Sequence, residues 1–355
     1  MQIPVFRPSI RRSDMNAVLT CLVSEKIDAG VEAQNLTRGL LRLTACAEGI
    51  LLRERLRGLE LALRTLDLQA GSRVALSPLS DRSFFYAMRA LSIEPVYIDS
   101  RPDVPAMDMG ILARAHAENP VQAVIVEPHL GFLPDMEMLE KQNIPCIQDI
   151  SRIISPLRDR DEKFQKYRGD ICLINLESDD LITAGGGIFV AISHGKNRKT
   201  KERTVMFRQI LSLWSDDIYL SDMNAALGIT QLKQLEKLLA ARADILESVR
   251  YIKIPHRFLL PEDSVALLTI LLKSPMQDVI AYGTKNGIEI RPAFARSILH
   301  DMLTSDDVHS DGETPPAEQY PESTNFALGT VRVPFYPNMR KQDMETVRRV
   351  MRTLP

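Results

Sequence analysis

Glu177, Asp179 and Asp180 crowd the middle of the stretch Gly169 to Gly187, GDICLINLESDDLITAGGG, just ahead of three consecutive glycines. Asp149 closes the run CIQD, and His129 follows IVEP. Carboxylates and a histidine gathered at one place can exchange protons with a ligand. The three glycines permit φ > 0 and close approach to the backbone. With three carboxylates in the same turn, the approaching object should not be an anion. A charged hairpin turn without chemistry is the alternative reading. Glu54, Asp149, Asp179 and Asp217 are oxygen ligands in type, but no compact motif such as DxDxDG sets them up for a divalent cation. Ser77, Ser80 and Ser83 lack the GxSxG setting of a hydrolase nucleophile.

The elements that must position these groups alternate. Short apolar strands are expected at 73–77, 95–99, 123–126, 146–148, 171–176 and 188–192. Helices are expected at 14–22, 47–66, 83–91, 108–116 and 136–141. Such alternation predicts a mostly parallel sheet with helices on both faces, and ligands outside the carboxyl ends of its strands. Asp149, His129 and the Asp179 turn fall at such ends. From Ser221, a good N-cap, a single long helix is expected to about Arg250. Beyond it, a strand at 265–272, a helix at 276–286, a strand at 288–290 and a helix at 342–352 read as a smaller α+β domain. The polar, proline-containing stretch 309–323 reads as a loop or lid. Trp214 and Phe207 are expected at a domain or subunit seam.

The chain of 355 residues suits two domains, here 1–245 and 246–355, and its 45% hydrophobic and 25% charged residues are ordinary for a globular protein. A formal net charge of −2 argues against a nucleic-acid or anionic-membrane partner. Cys21, Cys46, Cys146 and Cys172 stand singly in apolar surroundings and read as buried free thiols of a reducing compartment. With no run near ~18 apolar residues and no signal-peptide pattern, the expected place is the cytoplasm.

Taken together the motifs resemble the DegT-type sugar aminotransferases, pyridoxal-phosphate (PLP) enzymes of fold type I. The resemblance runs through Ile3-Pro-Val, Ala62-Leu-Arg-Thr-Leu before Gly71, and Pro95-Val-Tyr-Ile-Asp99. It continues with His129-Leu-Gly, Pro134-Asp-Met, Gln148-Asp149, Gly169-Asp170, Gly186-Gly187 and Ser221-Asp-Met-Asn-Ala-Ala-Leu-Gly. It closes with Arg291-Pro-Ala-Phe and Val333-Pro-Phe-Tyr-Pro. It implies an α/β fold: a PLP-dependent-transferase large domain with a mixed, mostly parallel sheet, and a small α+β C-terminal domain. It also implies a homodimer with the site between subunits.

Residue by residue, the family's chemistry does not carry over. The Phe-Ser-Phe triplet after Gly-Asp falls on Leu173, Ile174 and Asn175, and the Schiff-base lysine falls on Asp179. A carboxylate cannot form an imine. Lys163 and Lys166 precede the strand; Lys196, Lys199 and Lys201 follow the second strand in a basic run. The Ser-Gly-Thr phosphate turn corresponds to Glu54, Arg55 and Leu56, its serine partner to Ile174, and a neighbouring subunit's asparagine to Asp217. Phosphate would then meet Glu54, Asp179 and Asp217, with Arg55 as compensation. Like charges ~4 Å apart cost about 4 kcal/mol at an effective dielectric of 20, against about 8 kcal/mol for micromolar binding. Asp149 keeps the place of the aspartate that pairs with the pyridine nitrogen. Arg152 replaces a glutamine three residues on, which suggests an Asp149–Arg152 ion pair filling the site. Arg82 and His129 complete the altered cofactor pocket.

The resemblance therefore implies a DegT-type homologue inactive as a transaminase and kept for ligand binding or assembly, perhaps with nucleotide sugars, with PLP bound only if another residue rescues the site. Two alternatives stay open: an active enzyme with a non-standard site, and a regulatory subunit of an active paralogue.

Overall fold

The computed structural model describes residues 2–154, 167–194, 198–262, 264–304 and 315–355. In chain order, α1 (Arg12–Val23) and α2 (Val31–Thr44) precede β1 (Glu48–Leu52) and α3 (Arg55–Thr65). Then β2 (Arg73–Leu76), α4 (Arg82–Ala90), β3 (Glu94–Tyr97), α5 (Met109–Glu118), β4 (Ala123–Val126), α6 (Met136–Gln142) and β5 (Cys146–Asp149) alternate. The strands β6 (Ile171–Asn175) and β7 (Ile188–Ile192) follow. Together they form a seven-stranded sheet in the order β1-β7-β6-β5-β4-β2-β3. The strands from β2 to β6 are parallel, while β7 is antiparallel to both β6 and β1. This is the mixed, mostly parallel sheet that the sequence suggested.

Its centre is apolar on both faces, as a sheet covered by helices on both sides requires. Along β6, Cys172 and Ile174 enter one core while Ile171 and Leu173 enter the other. Along β7, Phe189 and Ala191 alternate with Ile188, Val190 and Ile192 in the same way. Helix starts are set by side-chain caps: Asp81 accepts from the Ser83 amide, Asp108 from Gly110 and Ile111, and Asp135 from Glu137 and Met138.

The remaining elements are α7 (Arg198–Ser212), α8 (Asp222–Lys233), α9 (Leu235–Arg250), β8 (Arg257–Leu259), β9 (Thr269–Leu271), α10 (Met276–Lys285) and β10 (Arg291–Pro292). They end with α11 (Ile298–Thr304), α12 (Pro316–Gln319), α13 (Pro321–Gly329), β11 (Thr330–Arg332) and α14 (Lys341–Arg352). The last four strands pair antiparallel as β10-β11-β9-β8. Leu235 and Leu239 of α9 belong to the core of the first sheet; Leu246 and Val249, about two and three turns on, belong to that of the second. One helix thus runs unbroken across residues 245 and 246.

Several expectations are corrected. Residues 47–66 are not one helix. Glu48–Leu52 pairs as an edge strand with β7, and Gly49 lets it close: a Cβ there would lie 2.7 Å from the Phe189 ring. The helix from Ser221 breaks at Gln234, whose side chain donates to Asp14 Oδ1 at 3.0 Å and holds the break against α1. The strand expected at 288–290 is placed at Arg291–Pro292, and Ile288 bridges to Ile3. Of the stretch 309–323, residues up to 314 lie outside the described ones, and Pro316 onward is helical. Ser323 is buried, with its amide donating to Asp99 Oδ1 at 2.8 Å, so that end is anchored rather than lid-like. Phe207 is buried in the first sheet's own core, and Trp214 packs on the same core. All four cysteines are free and buried, as expected.

Candidate functional site

The parallel strands deliver their carboxyl ends to one place. Glu127 follows β4, Asp149 ends β5, Asn175 ends β6, and the loop after β2 brings Asp81. Opposite them stand Arg291 to Ser297 and Arg332 from the second sheet, with Pro4 to Phe6 beside them. These segments enclose a polar cavity of about 470 Å³.

Asp149 is 3% exposed, and both of its oxygens accept hydrogen bonds. Its Oδ1 accepts from the Ser151 amide at 2.8 Å and the Ser151 hydroxyl at 2.5 Å, and its Oδ2 from Asn175 Nδ2 at 2.8 Å. The Ser151 hydroxyl accepts in turn from the Asn175 amide at 2.7 Å, tying β5 to β6. Among the described residues no Asp149–Arg152 ion pair forms. Asp149 is satisfied by neutral donors, while the charge of Arg152 falls first on Asp179 and Asp180. The Arg152 carbonyl accepts from the Ser264 hydroxyl at 2.6 Å.

Asp179 pairs with Arg332 at 3.2 Å. Burial pushes its carboxyl up, but Arg152 and Arg332 outweigh burial and hold it below the usual range. Its neighbour Asp180 goes the other way. Burial, with the like charges of Asp179 and Asp149, raises it to about 7 against Arg152 and Arg55. Glu127 is likewise raised to about 7 by burial, then by Asp149 and Asp81, despite Arg55. Asp81 stays low, because Arg55 at 3.7 Å, Arg296 at 3.3 Å and the Ser83 hydroxyl and amide offset its burial. Burial lowers His129 to about 3, so it is neutral, with its ring edge-on to Phe294 at 6.1 Å. Arg55 stays charged: burial disfavours the cation, and Asp81, Glu127, Asp149 and Asp180 more than restore it. Its Nε and Nη2 and the Asn175 Oδ1 are buried without partners.

The expected pocket residues thus divide. Arg55, His129, Asp149, Arg152 and Asp179 line the cavity. Glu54 is the exposed N-cap of α3, and Leu56, two residues on, is 42% exposed. Ile174 points into the core under β6 rather than into the cavity, because adjacent strand residues face opposite ways and Asn175 takes the cavity side. Arg82 pairs with Asp301 at 3.0 Å and donates to the Ala295 carbonyl at 3.2 Å, securing α11. Asp217 is exposed in the turn Asp216–Ile218 and accepts from the Ser215 hydroxyl, outside the cavity of its own chain. Sequence reasoning missed Asp81, Glu127, Asn175 and Arg332 as cavity residues. A polar residue just past each parallel strand was a usable signal for Glu127 and Asn175.

The Gly185–Gly187 turn has φ of +75°, +138° and +101°. What approaches Gly187 is the chain itself: an added Cβ would lie 2.7 Å from Leu220 Cδ1 and 2.9 Å from the Leu52 carbonyl.

Lys163, Lys166 and Lys196 lie outside the described residues. Lys199 and Lys201 are exposed on α7, and no lysine lines the cavity among the described residues. The described part of the lining offers no amine for the aldehyde of pyridoxal phosphate, and its aspartate already accepts from Ser151 and Asn175. The helix that would receive the phosphate opens on Glu54.

This architecture, a mixed sheet whose strand ends face a second, antiparallel sheet, is the fold of the PLP-dependent sugar aminotransferases. It superimposes on a protein described as the sugar aminotransferase Spr1654 of Streptococcus pneumoniae, in its apo form, with a TM-score of 0.83 at 19% identity. That match covers 99% of this chain and 97% of the other, and the PLP form of the same protein gives 0.82 at 19% identity over 99% and 98%. The sugar aminotransferase CalS13 of Micromonospora echinospora gives 0.78 at 16% identity over 99% of each chain. Residues 184–353 match the model of the DegT/DnrJ/EryC1/StrS aminotransferase family. In sequence, 198 residues are 25% identical to the UDP-4-amino-4-deoxy-L-arabinose–oxoglutarate aminotransferase of Shewanella sediminis, over 53% of this chain. The match spans 48% of that curated relative, about half its length. Among the described residues no helix is long and apolar enough to cross a membrane.

Proposed function

We propose that this chain is a sugar-aminotransferase homologue that does not transaminate and uses the cavity at its strand ends to hold a small polar ligand. The observation that carries this reading is the ion pair between Asp179 and Arg332 at 3.2 Å, on the position that the resemblance gives to the Schiff-base lysine. A carboxylate held ionised by two arginines can neither form an imine nor shuttle a proton at neutral pH. The chain's own residues instead bind and orient: Arg55 presents unpartnered N–H groups, Asn175 an unpartnered carbonyl, and Asp149 with Ser151 keeps the floor rigid. The relatives named above are aminotransferases of sugars, which supports a sugar-related ligand, and the reading includes a cytoplasmic homodimer. The exposed Met15, Leu19 and Val23 along α1 support self-association.

The test is an absorption spectrum of the purified protein with added PLP, followed by borohydride reduction and peptide mapping. A flat spectrum with PLP lost on desalting is expected. An aldimine band with a trapped lysine peptide would overturn the reading and identify the rescuing residue.

A further inference from the structure

The cavity has two electrostatic halves. On one side a single cation, Arg55, faces Asp81, Glu127 and Asp149, so the acids prevail. On the other side the arginines prevail. Arg152 lines the wall, half-buried, and among the described residues its guanidinium makes no hydrogen bond or close ion pair. Its backbone is pinned. The Ser264 hydroxyl donates to the Arg152 carbonyl at 2.6 Å, and Gly131 packs on Ser264 so tightly that a Cβ there would lie 2.5 Å away. Arg332, also in the lining, donates one N–H to Asp179 at 3.2 Å, while its Nε is buried without a partner. Arg242 is 4% exposed, donates to the Ala266 carbonyl at 2.8 Å and lies 5.2 Å from the centre of the Phe335 ring.

These three cations stand in one another's field. Burial and then the charge of Arg152 hold Arg332 below its ordinary value, and burial, Arg332 and Arg152 bring Arg242 down to about 10. The carboxyls that answer them are Asp179 and Asp180. Against its own burial, Asp179 is held ionised by Arg152 and Arg332, whereas Asp180 is raised to about 7. His129, lowered by burial and then by Arg152, is neutral. At pH 7, then, three guanidiniums face at most two carboxylates. Asp179 is the point on which Arg152 and Arg332 already converge, yet it takes its hydrogen bond from Arg332 alone.

We propose that Arg152 is the seat of a carboxylate carried by a small ligand, with Arg332 beside it as the second cation. A guanidinium offers five N–H donors in a planar fork that fits a carboxylate bidentately, and none of those of Arg152 has an acceptor among the described residues. One carboxylate also cancels the excess charge, whereas a dianionic phosphate would meet Asp179 and Asp180 with twice the repulsion. The acidic turn by itself would exclude an anion; Arg332, 153 positions further along the chain, admits one.

The inference rests on the reading that the cavity holds a small ligand. It carries a proton signature. Asp180 faces Arg152, Asp179, Asp149 and Arg55, and an anion on Arg152 disfavours its ionised form. Binding at pH 7 should therefore take up protons from the buffer, and affinity should fall from pH 6 to pH 8. Glu127, also raised to about 7, faces Arg55, Asp149 and Asp81 and should contribute less.

Isothermal titration with 4-hydroxybutanoate and with 4-hydroxybutanamide, which share a shape and differ by one charge, tests this directly. The acid should bind at least tenfold more tightly at pH 7, less tightly with added NaCl, and with a heat that depends on buffer ionisation enthalpy in the direction of proton uptake. Arg152→Gln should bring the acid down to the affinity of the amide. Arg152→Lys, which keeps the charge and loses the fork, should fall between. Asp180→Asn should reduce the proton uptake and bind the acid more tightly at pH 8. Equal binding of acid and amide, no measurable binding of the acid, or unchanged affinity in Arg152→Gln or Arg152→Lys would overturn the proposal. So would tighter binding of inorganic phosphate than of the acid. The spectroscopic test above fails independently. An aldimine band with acid binding that still depends on Arg152 rejects only the non-transaminating reading; a flat spectrum with equal binding of acid and amide rejects only the seat.

Discussion

Asp179 and Asp180 are adjacent, identical in type and on one cavity wall, yet their carboxyls are pushed in opposite directions. Asp179 has Arg332 at 3.2 Å and the field of Arg152, and stays ionised. Asp180 has no ion pair among the described residues, and burial with the like charges of Asp179 and Asp149 raises it to about 7 against Arg152 and Arg55. Asp81 and Glu127, joined by a hydrogen bond from the Asp81 amide, repeat the contrast at the ends of β2 and β4. The lesson is that the cavity has a rim whose carboxyls are paired with arginines and a floor whose carboxyls have no ion pair among the described residues. Where a carboxyl stands between them decides its protonation, and its distance along the chain does not.

The largest expected effect comes from the shared neighbour of the two raised carboxyls. Asp149→Ala should cost about 2–4 kcal/mol in urea unfolding, because it strands the Ser151 and Asn175 donors in a dry site. If the loss is below about 1 kcal/mol, the floor is wetter and looser than the geometry indicates.

Next is the pH dependence of stability. Glu127 and Asp180 have folded values near 7, above their ordinary 4.5 and 3.8. The folded state therefore binds more protons than the unfolded state across that interval, and stability must fall as pH rises towards 7. His129, lowered to about 3 from 6.5, acts oppositely and costs stability as pH falls below 6.5. His256, also lowered by burial, acts as His129 does, and above about pH 7.5 both are neutral folded and unfolded. Thermal melting should therefore show Tm falling between pH 6.5 and 8, and Glu127→Gln should flatten that fall and add on the order of 1–3 kcal/mol at pH 8. A variant less stable than wild type at pH 8 would erase the distinction between rim and floor.

At the rim, Arg332→Ala should cost about 1–2 kcal/mol, discounted because the Asp179 side chain is 38% exposed. It should also raise the Asp179 carboxyl, visible as a carboxyl shift in NMR titration. The smallest effect belongs to Arg82, whose pair with Asp301 is 37% and 31% exposed. Arg82→Ala should lose no more than about 1 kcal/mol in the same melts, and a larger loss would move it from the surface to the cavity's frame.

Much of the first sheet was legible from residue order alone. Ala123–Val126 and Ile188–Ile192 are continuous apolar runs that only a doubly covered sheet can bury, and Asp81, Asp108, Asp135 and Ser221 cap helices through purely local bonds. Local chemistry sufficed there because each signal is complete within a few residues. It failed at Glu48–Leu52, where leucine-rich sequence suits a helix and pairing with β7 across some 140 residues made it a strand. It failed again at Ser221–Arg250, which has no internal breaker and is interrupted because Asp14 holds Gln234.

The site shows the same division. That Asp179 cannot do a lysine's work follows from its side chain, and the sequence by itself determined this, together with the strand ends at which Asp149 and His129 would meet. Which carboxyl is ionised, that Asp149 is held by Ser151 and Asn175 rather than by Arg152, and that Asn175 keeps an open acceptor were decided only by tertiary structure. Charge type is a property of a residue, whereas protonation and hydrogen-bond saturation depend on distances to groups up to some 150 positions away, as between Asp179 and Arg332.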